Sequence, residues 1–212
     1  MMFLKFALDF MLFAGLINAA ALAEGVRVGD IIQVRGHDGV IKEFPVVVPL
    51  IIGTINGVEF AHNGPVESYI AAGKKFDPTW VPEEELKKAR RDLELEARNY
   101  LEQRDIVGII CRPSSQPWNN CNPADFGWVA SDLYNPDRRI IVGPGCARIA
   151  CNAACHVWIC NDTNHDVNVG SMDIGRDYVM KVGRECGDSF GRGYGQVFDG
   201  NGFNVIVRGA NC

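Results

Sequence analysis

The chain has 212 residues, 47% of them hydrophobic and 22% charged, with a formal net charge of -5. This is ordinary globular usage and excludes a disordered chain. A pI of about 5.4 excludes a general affinity for nucleic acid or for anionic membranes, which need a basic surface.

The first residues carry one positive charge, Lys5, and lead into an apolar stretch that ends Ala21-Leu22-Ala23 before Glu24. The pattern is that of a signal peptide, residues 1–23, cut at an A-x-A site after Ala23. Asp9 interrupts the stretch, and Phe10 to Ala23 falls short of the roughly 20 apolar residues that span a bilayer. No stable membrane insertion is expected, and an exported, extracellular product follows.

Residues 24–104 hold no cysteine. Val26 to Arg35 and Val40 to Phe44 carry β-branched residues around His37-Asp38-Gly39, and Ile51 to Phe60 repeats the pattern around Asn56-Gly57, so a small unit of β-hairpins is predicted. After Pro82, the run Glu83 to Arg104 has no glycine or proline and places Glu83 with Lys87 and Glu84 with Lys88. These i,i+4 pairs predict a long solvated helix. Leu101-Glu102-Gln103-Arg104 and the pair Arg90-Arg91 resemble sites cut by the convertases that mature fungal secreted precursors. A processing protease acting after Arg104 would make residues 24–104 a pro-segment and residues 105–212 the mature domain.

All eight cysteines, Cys111, Cys121, Cys146, Cys151, Cys155, Cys160, Cys186 and Cys212, lie in that last part. In an exported chain an even number so confined reads as a disulfide framework of four bridges, with the pairing open. Asn122-Pro123 opens a short helix over 124–134, and Arg139 to Val142 reads as a strand. Cys155 to Cys160 alternates, placing Cys155, Val157 and Ile159 on one strand face and His156, Trp158 and Cys160 on the other. Ile174, Tyr178, Val179, Val182 and Cys186 recur at helical spacing behind Asp173, the expected cap. Gln196 to Phe198 and Phe203 to Val207 flank Asp199-Gly200-Asn201-Gly202, a hairpin. The predicted class is α+β: a small disulfide-bonded antiparallel sheet with one packed amphipathic helix, preceded by the hairpin unit and the long helix.

Four constellations bear on chemistry. Cys151, Cys155, His156, Cys160 and His165 have the residue types of a zinc site, but oxidation competes with coordination in an exported chain, and neither metal nor cofactor is expected. His156, His165 and Glu185 could assemble a ribonuclease, one group taking the 2'-hydroxyl proton and another protonating the leaving oxygen. Residues 105–212 carry nine Lys plus Arg against eleven Asp plus Glu, a poor balance for holding a polyanion. Asn161-Asp162-Thr163 is an N-glycosylation sequon, expected on an exposed loop. Trp118, Trp128 and Trp158 either line a sugar-binding surface or pack the core.

The layout of signal peptide, cysteine-free segment, basic cleavage site and compact cysteine-rich domain resembles the small secreted effectors of filamentous fungi. Val169-Gly170-Ser171-Met172-Asp173-Ile174, followed by Gly191-Arg192-Gly193, is similar to a stretch of the killer-toxin-like, necrosis-inducing effectors, although the cluster Cys146 to Cys160 is spaced differently. The resemblance implies a disulfide-held α/β sandwich that acts outside the producing cell, on a host or competitor target, and a monomer is expected. It carries over no catalytic residue. Three functions follow as expectations: an effector that binds its target, a small secreted hydrolase, or a wall-polysaccharide binding module.

Overall fold

The computed structural model describes residues 26–82, 105–113 and 118–212. The expected signal peptide, the expected cut sites after Ala23 and Arg104 and the helix expected over 83–104 lie outside the described residues. Within them the chain is α+β, with three helices, eleven strands paired antiparallel throughout, and four disulfides.

β1 (Ile31–Arg35) and β2 (Ile41–Pro45) pair as a two-stranded ribbon. Between them Gly36 N–H donates to the Val40 carbonyl, Asp38 Oδ1 accepts from Val40 N–H at 3.0 Å, and Gly39 takes φ +81°; a short acceptor side chain and a glycine suit a tight turn. β3 (Leu50–Ile55) and β4 (Val58–Asn63) are joined by Asn56 and Gly57, both at positive φ, the pair that a twisted two-residue hairpin demands. α1 (Val66–Phe76) follows. It is hidden from a periodicity reading because its third inward position is Gly73, where a Cβ would lie 2.5 Å from the Trp80 indole.

β5 (Ile106–Cys111) opens the cysteine-rich half. α2 (Pro123–Leu133) starts in a reciprocal capping box of Asn122 and Asp125, which satisfies N–H groups that the helix itself leaves unpaired. β6 (Arg139–Val142), β7 (Gly145–Asn152), β8 (Cys155–Asn161) and β9 (Val167–Gly170) follow in order. Three consecutive helical pieces, Ser171–Asp173, the π-helical Ile174–Val179 and Met180–Glu185, run on as one helix, α3. The chain ends with the hairpin β10 (Gly195–Asp199) and β11 (Phe203–Gly209).

Two details differ from the expectation. The short helix expected after Asn122 forms as α2, but α1 packs on the sheets where no helix was predicted, and α3 is preceded by Gly170 as its cap while Asp173 is already helical and pairs with Arg176. The spacing nevertheless found the right face, since Ile174, Tyr178, Val179, Val182 and Cys186 are all buried.

A five-stranded sheet runs β5-β10-β11-β8-β7, and a four-stranded sheet runs β4-β3-β6-β9. The second sheet is built from both halves of the chain: β3 pairs with β6 through Leu50 with Ile141, Ile51 with Ile140 and Ile52 with Arg139. The main core unites Ile51, Ile55, Val66, Tyr69 and Trp80 with Phe126, Leu133, Ile149, Ile159, Ile174, Val182, Val197 and Val205. A smaller core on the other face of the five-stranded sheet joins Val34, Phe44 and Val46 to Cys146, Trp158, Cys160 and Ile206.

The bridges are Cys111–Cys186, Cys121–Cys155, Cys146–Cys160 and Cys151–Cys212, and no free cysteine remains. Cys146 and Cys160 are directly opposed across β7 and β8. Cys151–Cys212 fastens the chain end, beyond β11, to β7. The bridge count and the eight residues agree with the sequence expectation.

Candidate functional site

Alternation along β8 divides the five-stranded sheet into two chemically different faces. Val157 and Ile159 face the main core, as do Val205 and Val207 of β11 and Val197 of β10. The opposite face carries His156, Trp158 and Cys160. Directly opposed residues share a face, so it also carries Arg208 and Ile206 across from His156 and Trp158, Arg148 across from Trp158, and Asn204 and Gln196. The β1–β2 ribbon covers this second face, and the Gln196 amide donates both to the Arg35 carbonyl at 2.8 Å and to Asn204 Oδ1 at 2.9 Å.

The cover leaves polar atoms without partners. His156 Nδ1, Trp158 Nε1, Arg148 Nε and Gln196 Oε1 are buried and make no hydrogen bond, a concentration that is costly in a packed interior. The His156 ring is 1% exposed and meets the Asn211 carbonyl through Nε2 at 3.2 Å. Its pKa is pushed down to about 4, chiefly by burial and further by the positive charges of Arg148 and Arg208, against the pull of the Asn211 carbonyl. The imidazole is therefore neutral at physiological pH, with Nε2–H donating to Asn211.

Arg208 stands between two indoles, its guanidinium carbon 5.8 Å from the Trp118 centroid and 5.5 Å from that of Trp158, within reach for cation–π attraction. Tyr194 adds an edge contact to Trp118. Next to this stack lies an open depression of about 220 Å³ lined by Asn119, Asn120, Ala154, Gly209, Ala210 and Asn211. Asn119 and Gly209 bridge across it, and the Gly209 N–H donates to the Asn119 carbonyl at 2.7 Å. A side chain at Gly209 would meet the Asn120 carbonyl, so glycine is what lets the 119–120 backbone approach β11 this closely.

Arg148 is the other unexpected participant. Its side chain is 5% exposed and its Nη2 lies 2.7 Å from Glu67 of α1. The second Glu67 oxygen accepts from Cys151 N–H at 3.3 Å. Burial raises the Glu67 pKa, and the Arg148 charge offsets part of that rise. The sequence signal was present: arginines at positions 148 and 208 alternate with apolar residues inside strands, where an unpaired cation is not tolerated.

No family model, curated protein or solved structure matches the chain. The site is therefore read from its own residues, and the three side chains of the alternative ribonuclease reading do not converge. His156 lies at the start of β8 and His165 beyond its end; roughly 16 Å of strand separates His156 from Asn161, whose amide donates to the His165 carbonyl. Glu185 is at the end of α3, on the main-core side of the sheet, paired with Lys181 at 2.5 Å. Cys151, Cys155 and Cys160, considered as metal ligands, belong to three different bridges. The donor atoms of Cys151, His156 and Cys212 lie within 4.8 Å of one another, but the two sulfurs are bonded together.

Of the tryptophans, Trp158 is 2% exposed and Trp128 is 55% exposed on the outside of α2. Trp118 packs over the second face, so Trp118 and Trp128 look out from opposite sides of the five-stranded sheet.

Asn161 does not sit on an exposed loop. It is 2% exposed, its amide donates to the carbonyls of Val142 at 2.9 Å and His165 at 2.8 Å, and its oxygen accepts from the backbone and hydroxyl of Thr163. Both amide hydrogens are engaged, and the Asn-x-Thr spacing closes an Asx turn that leads β8 toward β9. Asn161→Ala is expected to cost about 2 kcal/mol, since two carbonyls lose their donor. A glycosidase applied to the purified protein is expected to leave the mass at this site unchanged. Both are read by urea unfolding and intact mass.

Proposed function

We propose that this is a secreted effector or toxin-like protein that acts outside the cell by binding a target of a host or competitor, and that it works by recognition rather than by turnover. The observation that carries the proposal is a contrast in placement. The candidate acid–base groups His156, His165 and Glu185 are scattered over the fold, whereas Trp118, Arg208, Trp158 and the asparagines of the depression gather at one place. His156 is further disfavoured as an acid, because a proton is held there only near pH 4, well below the range in which general acid–base groups operate.

The four bridges support an extracellular address, where thiols are oxidised. Among the described residues no helix is long and apolar enough to cross a membrane. Processing after Ala23 and Arg104 belongs to the same proposal.

A second reading is favoured by the depression itself. Asn119, Asn120 and Asn211 offer paired donors and acceptors beside an indole, which suits a neutral polyhydroxylated ligand better than a polyanion. A wall-polysaccharide binding module would use it so. The separating experiment measures retention of the purified protein on insoluble chitin and glucan, together with RNA hydrolysis and toxicity to exposed cells, for wild type, Trp118→Ala and the pair His165→Ala with Glu185→Ala. The effector reading expects toxicity to persist in the histidine–glutamate variant. Retention that falls at least about tenfold in Trp118→Ala, as the loss of a ~1.4 kcal/mol contact would give, favours the polysaccharide module. RNA turnover abolished in the double variant would overturn both.

A further inference from the structure

We infer that residues 26–82 are a lasting non-covalent subunit of the cysteine-rich half, so that a cut between them yields a two-chain protein and releases neither part. The biological weight of the inference rests on the processing proposed above; the association itself does not.

The N-terminal residues clasp the five-stranded sheet from both sides. On one side the β1–β2 ribbon sets Val34, Phe44 and Val46 against Cys146, Trp158, Cys160 and Ile206. On the other, β3 hydrogen-bonds to β6, and Ile51, Ile55, Val66, Tyr69 and Trp80, each 2% exposed or less, complete the main core. The connection between them passes along the edge strand β7, where Val46 bridges Cys146 and Val47 N–H donates to the Cys146 carbonyl at 2.9 Å. A sheet edge is thereby covered rather than left to pair with other chains.

Polar contacts make departure costly. Among the described residues Glu67 is the carboxylate that bridges Arg148, whose side chain is 5% exposed, and a buried cation that loses its partner is strongly unfavourable. Gln196 would lose the Arg35 carbonyl. Gly145, at φ +132°, lies so close to β2 that a Cβ would stand 2.5 Å from the Pro45 carbonyl oxygen. The fit on both sides is that of one packed interior. No bridge contributes, because no cysteine precedes Cys111. The surface that meets a target is then composite, with the ribbon remaining over the His156 and Trp158 face.

The test inserts a recognition sequence for a specific protease, flanked by glycines, between Arg104 and Asp105 of the full exported chain. After cutting, a denaturing gel without reductant shows two fragments. The inference expects both to co-elute in native size exclusion at the position and light-scattering mass of the uncut chain, and to do so after 100-fold dilution. Separate elution, or co-elution only as aggregate, overturns it. As a second readout, Glu67→Ala is expected to lower the urea concentration at which the cut fragments part by more than it lowers the unfolding midpoint of the uncut chain; an equal shift in both would show that Glu67 does not tie the fragments. Finding that the natural protein is never cut would refute the processing proposal and leave the association standing.

Discussion

Ile51→Ala is expected to destabilise the whole chain by about 2–5 kcal/mol, the range for truncating a fully buried isoleucine in a core that cannot collapse around the cavity. Ile51 is 0% exposed in β3 and opposes Ile140 of β6. The diagnostic feature is where the loss is felt. If residues 26–82 and 105–212 fold as one cooperative unit, the urea midpoint moves equally for probes in each half, such as Trp80 on one side and Trp158 on the other. A variant that loosens only the surroundings of Trp80, leaving the transition of the cysteine-rich half in place, would show two units that merely touch.

The second large effect is on acid stability and belongs to His156. Its folded pKa of about 4 lies below the ordinary 6.5. As pH falls below 6.5 the unfolded chain takes up a proton that the folded chain refuses, so stability is lost between about pH 6.5 and pH 4 and the loss levels off below that. The full difference corresponds to about 3 kcal/mol at this site. Glu67, Asp132 and Asp162 act in the opposite sense: burial raises each of their pKa values, so the folded chain takes up those protons first and gains stability as the pH falls. Comparing the variant with the wild type isolates the histidine. In urea unfolding at pH 7 and pH 4, His156→Gln is expected to lose about 3 kcal/mol less on acidification than wild type. Equal losses in the two proteins would mean that the folded ring does accept a proton.

Much of the fold was legible, and the parts that were not share a cause. Strands announced by turn chemistry, such as those around Asn56-Gly57 and Asp199-Gly200-Asn201-Gly202, formed where the turn residues placed them. The alternation of β8 correctly sorted His156 from Val157 and Trp158 from Ile159, because period-two patterning is a local property. β7 escaped notice because Gly145-Cys146-Ala147-Arg148-Ile149-Ala150-Cys151-Asn152 is made mostly of small residues, with Ile149 its single β-branched one, and so lacks the composition that marks a strand. The joining of β3 to β6 across the two halves was also invisible. Nothing in a strand's own sequence names its partner, and composition suggested a boundary at residue 104 that the sheet does not respect. At the candidate site, Trp118 and Trp158 stood out by residue type, while Arg208 between them and Glu67 under Arg148 required three dimensions. Asn161 shows the converse, a motif read as a surface mark that the fold uses internally.

The central claim, an exported protein braced by four bridges and working outside the cell, is most directly tested by the intact mass of the protein recovered from the medium, with and without reductant. The account predicts recovery from the medium without residues 1–23, no alkylation of the native form, and a gain of about eight mass units on reduction, two for each bridge formed by the eight cysteines. Retention inside the cell with free thiols, or with a metal bound in place of bridges, would contradict it.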